Sequence, residues 1–435
     1  MTTAIVLIFL IGYLFIAIES FTKVDKAAVA LLMCVLCWTV FALGGGADGN
    51  LTHVLEASLG EAGTTIFFLM GAMTIVEIVD SYGGFNFVRA LLKTTSKKTL
   101  FWRMAVMTAA MSAILDNLTT TIVMMMILGK LVDNHKDALI YTAMIVISAN
   151  AGGAFSPIGD VTTIMLWNGH MLSAGGVILH VFFPSVVSFV VPGLILQNRL
   201  HGTLEMKTAF KPVKVQGEVR RRDRLEVFCI GVGGLCCVPL FHSVTGLPPF
   251  MGILIVLAVL WVLTDILHYF VKKSSASVQS VLGKIDMETI LFFLGILMSV
   301  SALSETGVLT EFGKMLSSNV KSDYLQTGLI GVLSSVVDNV PLVAASMKMY
   351  PVADAAMIAA DPAMASLAHD GIFWQLLAYC SGTGGSLLII GSAAGVVAMG
   401  LQNVSFGWYL KNVTWIAFVG YLAGIAAYAL QALIF

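Results

Sequence analysis

The sequence predicts an all-α polytopic membrane protein, an inverted repeat in which each half carries five spans and one re-entrant hairpin, with two broken helices. Three observations predict it. Of 435 residues, 58% are hydrophobic and only 11% charged, with a mean hydropathy of +0.92; soluble domains carry roughly a quarter charged residues. An Asp-Asn pair sits inside two apolar runs, as "AILDNLTTT" (113–121) and "SVVDNVPLV" (335–343). Finally, three strings recur in the same order at a nearly constant offset. "TIFFLMGAM" (65–73) matches "TILFFLGILM" (289–298), the first Asp-Asn tip matches the second, and "SANAGGAFSPIGD" (148–160) matches "CSGTGGSLLIIGS" (380–392).

The elements follow in order. Apolar runs at about 2–20, 25–43 and 63–80 are long enough to cross, a crossing needing about 20 residues. The first has no basic lead or small-residue cleavage site and reads as a retained span. The run 99–132 as one helix would be about 50 Å long at 1.5 Å per residue, against a hydrocarbon core of about 30 Å. A carboxylate at its middle favours a hairpin that enters, turns at Asp116–Asn117 and leaves on the same side. The run 138–168 has a Gly-rich centre and Pro157, which removes a donor and disfavours helix at Ser156. It reads as a broken helix. A span over 174–198 closes the first half, 1–198. A basic linker, 199–224, leads to the second half, 225–435, with spans at 225–243, 248–271, 289–304 and 407–434. Its hairpin lies at about 325–350 and its broken helix at about 372–400. The stretches 44–62, 168–173, 241–248 and 305–325 read as loops.

Lys and Arg cluster at 23–26, 89–103, 199–224 and 272–284, which places those segments in the cytoplasm by the positive-inside rule. That assignment is self-consistent only if each hairpin returns to the side it entered, and it leaves both termini external. An odd number of spans per half turns the second half upside down. Inverted repeats with interrupted helices mark secondary transporters, whose sites lie at the breaks near mid-membrane. Net charge is −1, which makes no case for nucleic acid. The six cysteines all fall in apolar stretches and read as packing thiols, without disulfides or a metal-ligand spacing.

These residues resemble the ion transporter superfamily, which includes dicarboxylate, citrate and arsenite carriers. Within it, "AILDNLTTT", "SANAGGAFSPIGDVTTIMLW" and "SSVVDNVPL" are similar to the NhaD-type sodium/proton antiporters, and the likeness runs over nearly the whole chain. The resemblance implies Na⁺ or Li⁺ exchanged for H⁺ across a bacterial-type inner membrane. It also implies a homodimer in the lipid bilayer, each protomer with a scaffold domain and a transport domain that holds hairpins and broken helices. No cofactor is implied, and the protein is expected not to be an enzyme. The motif-matched positions are Asp116, Asn117, Asn150, Asp160, Thr162, Thr163, Ser334, Asp338 and Asn339. Glu61 answers an acidic family position before the third span, and the second break offers Ser381, Thr383 and Ser386.

The residue types suit a hard cation, which binds carboxylate, amide, hydroxyl and backbone oxygens. A carboxylate at mid-membrane costs about 2.5–3.5 kcal/mol on insertion scales; desolvation favours its proton, and a bound cation opposes it. Protons and Na⁺ are therefore expected to compete for the same aspartates. Asp338 also suits an N-cap for its hairpin helix. Two other readings compete with this one. An anion carrier, of dicarboxylate for example, would want a fixed positive charge or several helix N-termini facing its substrate, and no Arg or Lys is expected near either tip or break; helix N-termini alone could hold a small or neutral oxyanion such as arsenite. An intramembrane aspartyl protease would want a Gly-x-Gly-Asp string, where "PIGD" has Pro157 instead.

Overall fold

The computed structural model describes residues 1–17, 22, 24–46, 50–85, 88, 91–92, 94–203, 220–271, 278–336 and 339–434. The first half runs α1 (Thr2–Ala17), α2 (Lys26–Leu43), α3 (Leu51–Ser81), α4 (Lys97–Leu115), α5 (Asn117–Leu131), α6 (His135–Ala154), α7 (Val161–Asn168) and α8 (Ala174–Leu196). The chain then continues through α9 (Arg221–Thr245), α10 (Pro249–Val271), α11 (Val278–Leu282), α12 (Met287–Glu305) and α13 (Val308–Asn319). It ends with α14 (Asp323–Leu333), α15 (Asn339–Met349), α16 (Ala355–Ala360), α17 (Ile372–Gly384), α18 (Ala393–Gln402), α19 (Phe406–Asn412) and α20 (Thr414–Ile434). Among these, eight helices are long and apolar enough to cross a bilayer.

Burial separates two kinds of helix. In α6 every residue from Asp137 to Ala154 is buried, as is every residue of α17 from Phe373 to Gly384. A helix apolar all round must be packed all round, so the two interrupted helices form the centre of the molecule. By contrast α9 and α10 leave Leu240, Val244, Val259 and Val262 exposed, as suits contact with acyl chains. The packing is reciprocal: α1 on α2 and α9 on α10, α2 on α12 and α10 on α3, α4 on α6 and α14 on α17, α5 on α18 and α7 on α15.

Helices are interrupted at the first Asp-Asn pair and at both Gly-rich strings, and α14 ends before the second pair. α4 and α5 meet at Asp116, α14 and α15 flank 334–338, α6 and α7 are separated by 155–160, and α17 and α18 by 385–392. Small residues make the close crossings possible. A Cβ on Gly152 would run into the Ala109 carbonyl, and one on Gly384 into the Gly331 carbonyl, so α6 meets α4, and α17 meets α14, backbone to backbone. At each crossing a buried serine ties the pair, Ser112 donating to the Ala149 carbonyl (2.6 Å) and Ser334 to the Ser381 carbonyl (3.0 Å).

Three expectations change. The stretch 44–62 is not wholly a loop, because α3 begins at Leu51. Its Leu, Glu and Ala content favours helix, and polarity signals exposure rather than irregular backbone. For the same reason 305–325 contains α13, which buries Leu309 and Gly313 and exposes its charged face. The last span is shorter than 407–434, since α19 ends at Asn412 and α20 begins at Thr414.

Candidate functional site

The first tip is held by its own acid. Asp116 has φ 91° and ψ 160°, a backbone region almost reserved for glycine, in which an L-residue costs of order 1–3 kcal/mol. From there its carboxylate accepts the Thr119 amide (2.7 Å) and the Thr119 hydroxyl (2.9 Å), satisfying donors that the start of α5 leaves open.

Asp160 begins α7 in the same capping manner, accepting the Thr162 amide (3.0 Å) and hydroxyl (2.9 Å), and it is 1% exposed. Two asparagines from different hairpins converge on it. Asn117 Nδ2 donates to it at 2.8 Å, and Asn339 Nδ2 approaches both carboxylate oxygens at 3.4 Å. Asn117 Nδ2 also donates to Asn150 Oδ1 (3.1 Å), and Asn150 Nδ2 donates to Ser386 Oγ and Ser392 Oγ, both at 2.9 Å. Asp160 is thus the acidic end of a buried hydrogen-bond chain that crosses from one half of the sequence to the other.

Asp116, Asn117, Asp160 and Asn339 line a single cavity of about 40 Å³, closed by Met73, Phe292 and other apolar side chains. Lys26 also lines this cavity, its ammonium 4.9 Å from the centre of the Phe292 ring. This corrects the expectation that no Lys or Arg lies near the tips. Lys26 starts α2, which is remote in sequence and reaches the site only because α2 packs against α12.

Not every expected residue faces this cavity. Thr163 donates to the Asp160 carbonyl (3.0 Å) and so stiffens the start of α7. Ser381 and Thr383 give their hydroxyl protons to carbonyls of their own helix, Leu377 and Tyr379, and Ser334 ties two helices. Asp338 lies outside the described residues. Glu61 lines a second, larger cavity of about 390 Å³ with Thr65, Asn168, His170, Ser301 and Lys348, and pairs with Lys348 at 2.6 Å. Ser392, Thr119 and Lys26 were missed. Only Ser392 had a signal, since it aligns with Asp160 in the repeated string.

The two cavities share one wall. α3 gives Leu69 and Met73 to the smaller and Ala62 and Thr65 to the larger; α12 gives Phe292 and Phe293 to one, Leu297 and Ser301 to the other. At the intermediate level of four helices stand Phe68, Ile164, Ile296 and Val343, each at most 1% exposed.

Comparison with known proteins adds the following. A family model described as citrate transporter, CitMHS, matches residues 13–369. Sodium/proton antiporter 1 of Arabidopsis thaliana is 44% identical over 98% of this chain and 72% of its own length. The Na⁺/H⁺ antiporter NhaD of Vibrio cholerae is 29% identical over 98% of this chain and 91% of its own. In architecture the chain is similar to the YdaH transporter of Alcanivorax borkumensis, with a TM-score of 0.58 at 12% identity, covering 94% of this chain and 98% of that one.

Proposed function

This chain belongs to the citrate-transporter family CitMHS and, within the ion transporter superfamily, to the NhaD-type sodium/proton antiporters, and from that premise we propose that it exchanges Na⁺ or Li⁺ for H⁺ across a membrane. The observation that carries the reading is the pair of carboxylates, Asp116 and Asp160, on one small cavity with the amides of Asn117 and Asn339. A cation entering it would take oxygens from these groups and displace the longest contacts first, those of Asn339 at 3.4 Å. Protonation of the same carboxylates removes the charge that holds the cation. On this reading, occupancy of the cavity by metal and by protons is mutually exclusive.

Movement follows from the shared wall. The wall of α3 and α12 acts as the scaffold, and the hairpins and broken helices move against it as the transport unit. Opening the level of Phe68, Ile164, Ile296 and Val343 would join the site to the larger cavity, and closing the Lys26 side would complete alternating access. The reciprocal packing of α1–α8 against α9–α20 supports two inverted halves, 1–198 and 225–435, joined by 199–224. The smaller cavity then opens toward the cytoplasm and the larger one outward, in a homodimer of a bacterial-type inner membrane with both termini external. Reporter fusions and light scattering of the solubilised protein test topology and dimer.

The name of the family raises the anion reading, and Lys26 supplies one positive charge. Against it stand two carboxylates, Asp116 and Asp160, on the same cavity. The test is a ΔpH probe in inverted vesicles. Na⁺ and Li⁺ should dissipate the gradient while K⁺ and labelled citrate produce no exchange; citrate uptake without a Na⁺-dependent proton flux would replace the proposal.

A further inference from the structure

The duplicated breaks are alike in backbone and unlike in chemistry. Asp160 caps α7 with φ −145° and ψ 144°, and Ser392 caps α18 with φ −149° and ψ 154°. A Cβ on Gly153 would meet Asp160 Cβ at 3.2 Å, and one on Gly385 would meet Ser392 Cβ at 2.9 Å. The two residues therefore hold equivalent places, one acidic and one neutral. One helical turn from Gly153, the string of the first break has Asn150 where the second has Gly382.

Asn150 uses its extra atoms to reach into the second break. The polarity of its amide is set from Asp160. An ionised carboxylate only accepts, so Asn117 must turn Nδ2 toward it, and the second Asn117 hydrogen then requires Oδ1 of Asn150. That leaves Asn150 Nδ2 facing the second break, where its two hydrogens go to Ser386 Oγ and Ser392 Oγ. Ser392 Oγ also accepts the Gly395 amide at 3.3 Å. A hydroxyl oxygen has two lone pairs, so both of those on Ser392 are committed to N–H donors. No lone pair on Ser392 remains for a metal ion. Meanwhile the second tip sends Asn339 across to Asp160 rather than to its own break.

We infer that Asn150 closes the second, symmetry-related half-site to cations, so that each chain binds a single Na⁺ or Li⁺, held at Asp160 and not at both breaks. The inference rests on the cation reading above and deepens it by fixing the number of ions. Asn150 acts as a positioning residue: it fixes Asn117 on one side and fills the second break with positive hydrogen on the other.

The experiment counts ions on the purified full-length protein in detergent, with ²²Na⁺ binding at saturation and calorimetry with Li⁺. One ion per chain is expected, with no cooperativity. Asp160→Asn should reduce the count to zero. Asn150→Asp, which places acceptor oxygens against the Ser386 and Ser392 hydroxyls, should raise the count toward two. Two ions on the parent protein, or one retained by Asp160→Asn, would overturn the inference while leaving exchange intact. Failure of the parent to bind either ion would remove the cation reading and this inference together. Should Asn150→Asp not fold, the counts on the parent and on Asp160→Asn decide alone.

Discussion

Asp116 combines a strained backbone with a membrane-embedded charge, and the two have opposite consequences when it is changed. Replacement by glycine relieves a conformation costing of order 1–3 kcal/mol, while losing a cap to glycine costs only a few tenths. Asp116→Gly should therefore raise stability by about 1 kcal/mol in a thermal scan of the purified protein and still abolish Na⁺-dependent proton flux. Lower stability in that variant would mean the strain is not real. Asp160→Asn should also bring exchange to background, while Glu311→Gln, which breaks an exposed pair with Lys314, should leave it unchanged. The acids were legible in the sequence because an ionisable residue in an apolar run has few structural excuses. Lys26 was not, since nothing near "KVDKAAV" reveals that α2 brings its ammonium beside Phe292. Ser392 was hidden for a different reason: serine at a break is ordinary, and only its alignment with Asp160 makes it informative.

Among the elements, the broken helices depend on crossings without side chains. Gly384→Ala puts a methyl group against the Gly331 carbonyl, and overpacking of this kind costs about 1–3 kcal/mol. The variant should lose thermal stability by that amount, whereas Gly400→Ala, which meets nothing within 4 Å, should not. Interruptions were readable from Gly, Pro and misplaced length. Helix extent was read less well. The expected loops 44–62 and 305–325 contain the helical stretches Leu51–Ala62 and Val308–Asn319, whose period and composition permit helix, and exposure alone does not forbid it. Roles of hydroxyls within these elements were also unreadable: Ser334 and Thr383 bond backbone carbonyls, a choice made by rotamer and neighbour rather than by residue type.

For the whole molecule, the ion pair of Glu61 and Lys348 joins α3 to α15, the wall and the mobile set of the proposed cycle. The pair is partly exposed, so its loss should cost at most about 1 kcal/mol. Its location gives a sharper test. In a background lacking Cys229, Cys236 and Cys237, the exposed thiols, bridging Glu61→Cys to Lys348→Cys with a short reducible bis-thiol crosslinker should stop exchange, and reductant should restore it. Persistent exchange with the bridge intact would end the rocking scheme. Phe68, Ile164, Ile296 and Val343, buried on four helices between the two cavities, make up the stretch that an ion on the proposed path must pass. If that stretch separates the two sides of the membrane, as the proposed cycle requires, it is the part of the path across which the transmembrane voltage drops. A charge carried past it gains or loses about 2.3 kcal/mol per 100 mV, so any cycle that moves unequal charge in its two directions is driven by electrical potential as directly as by concentration.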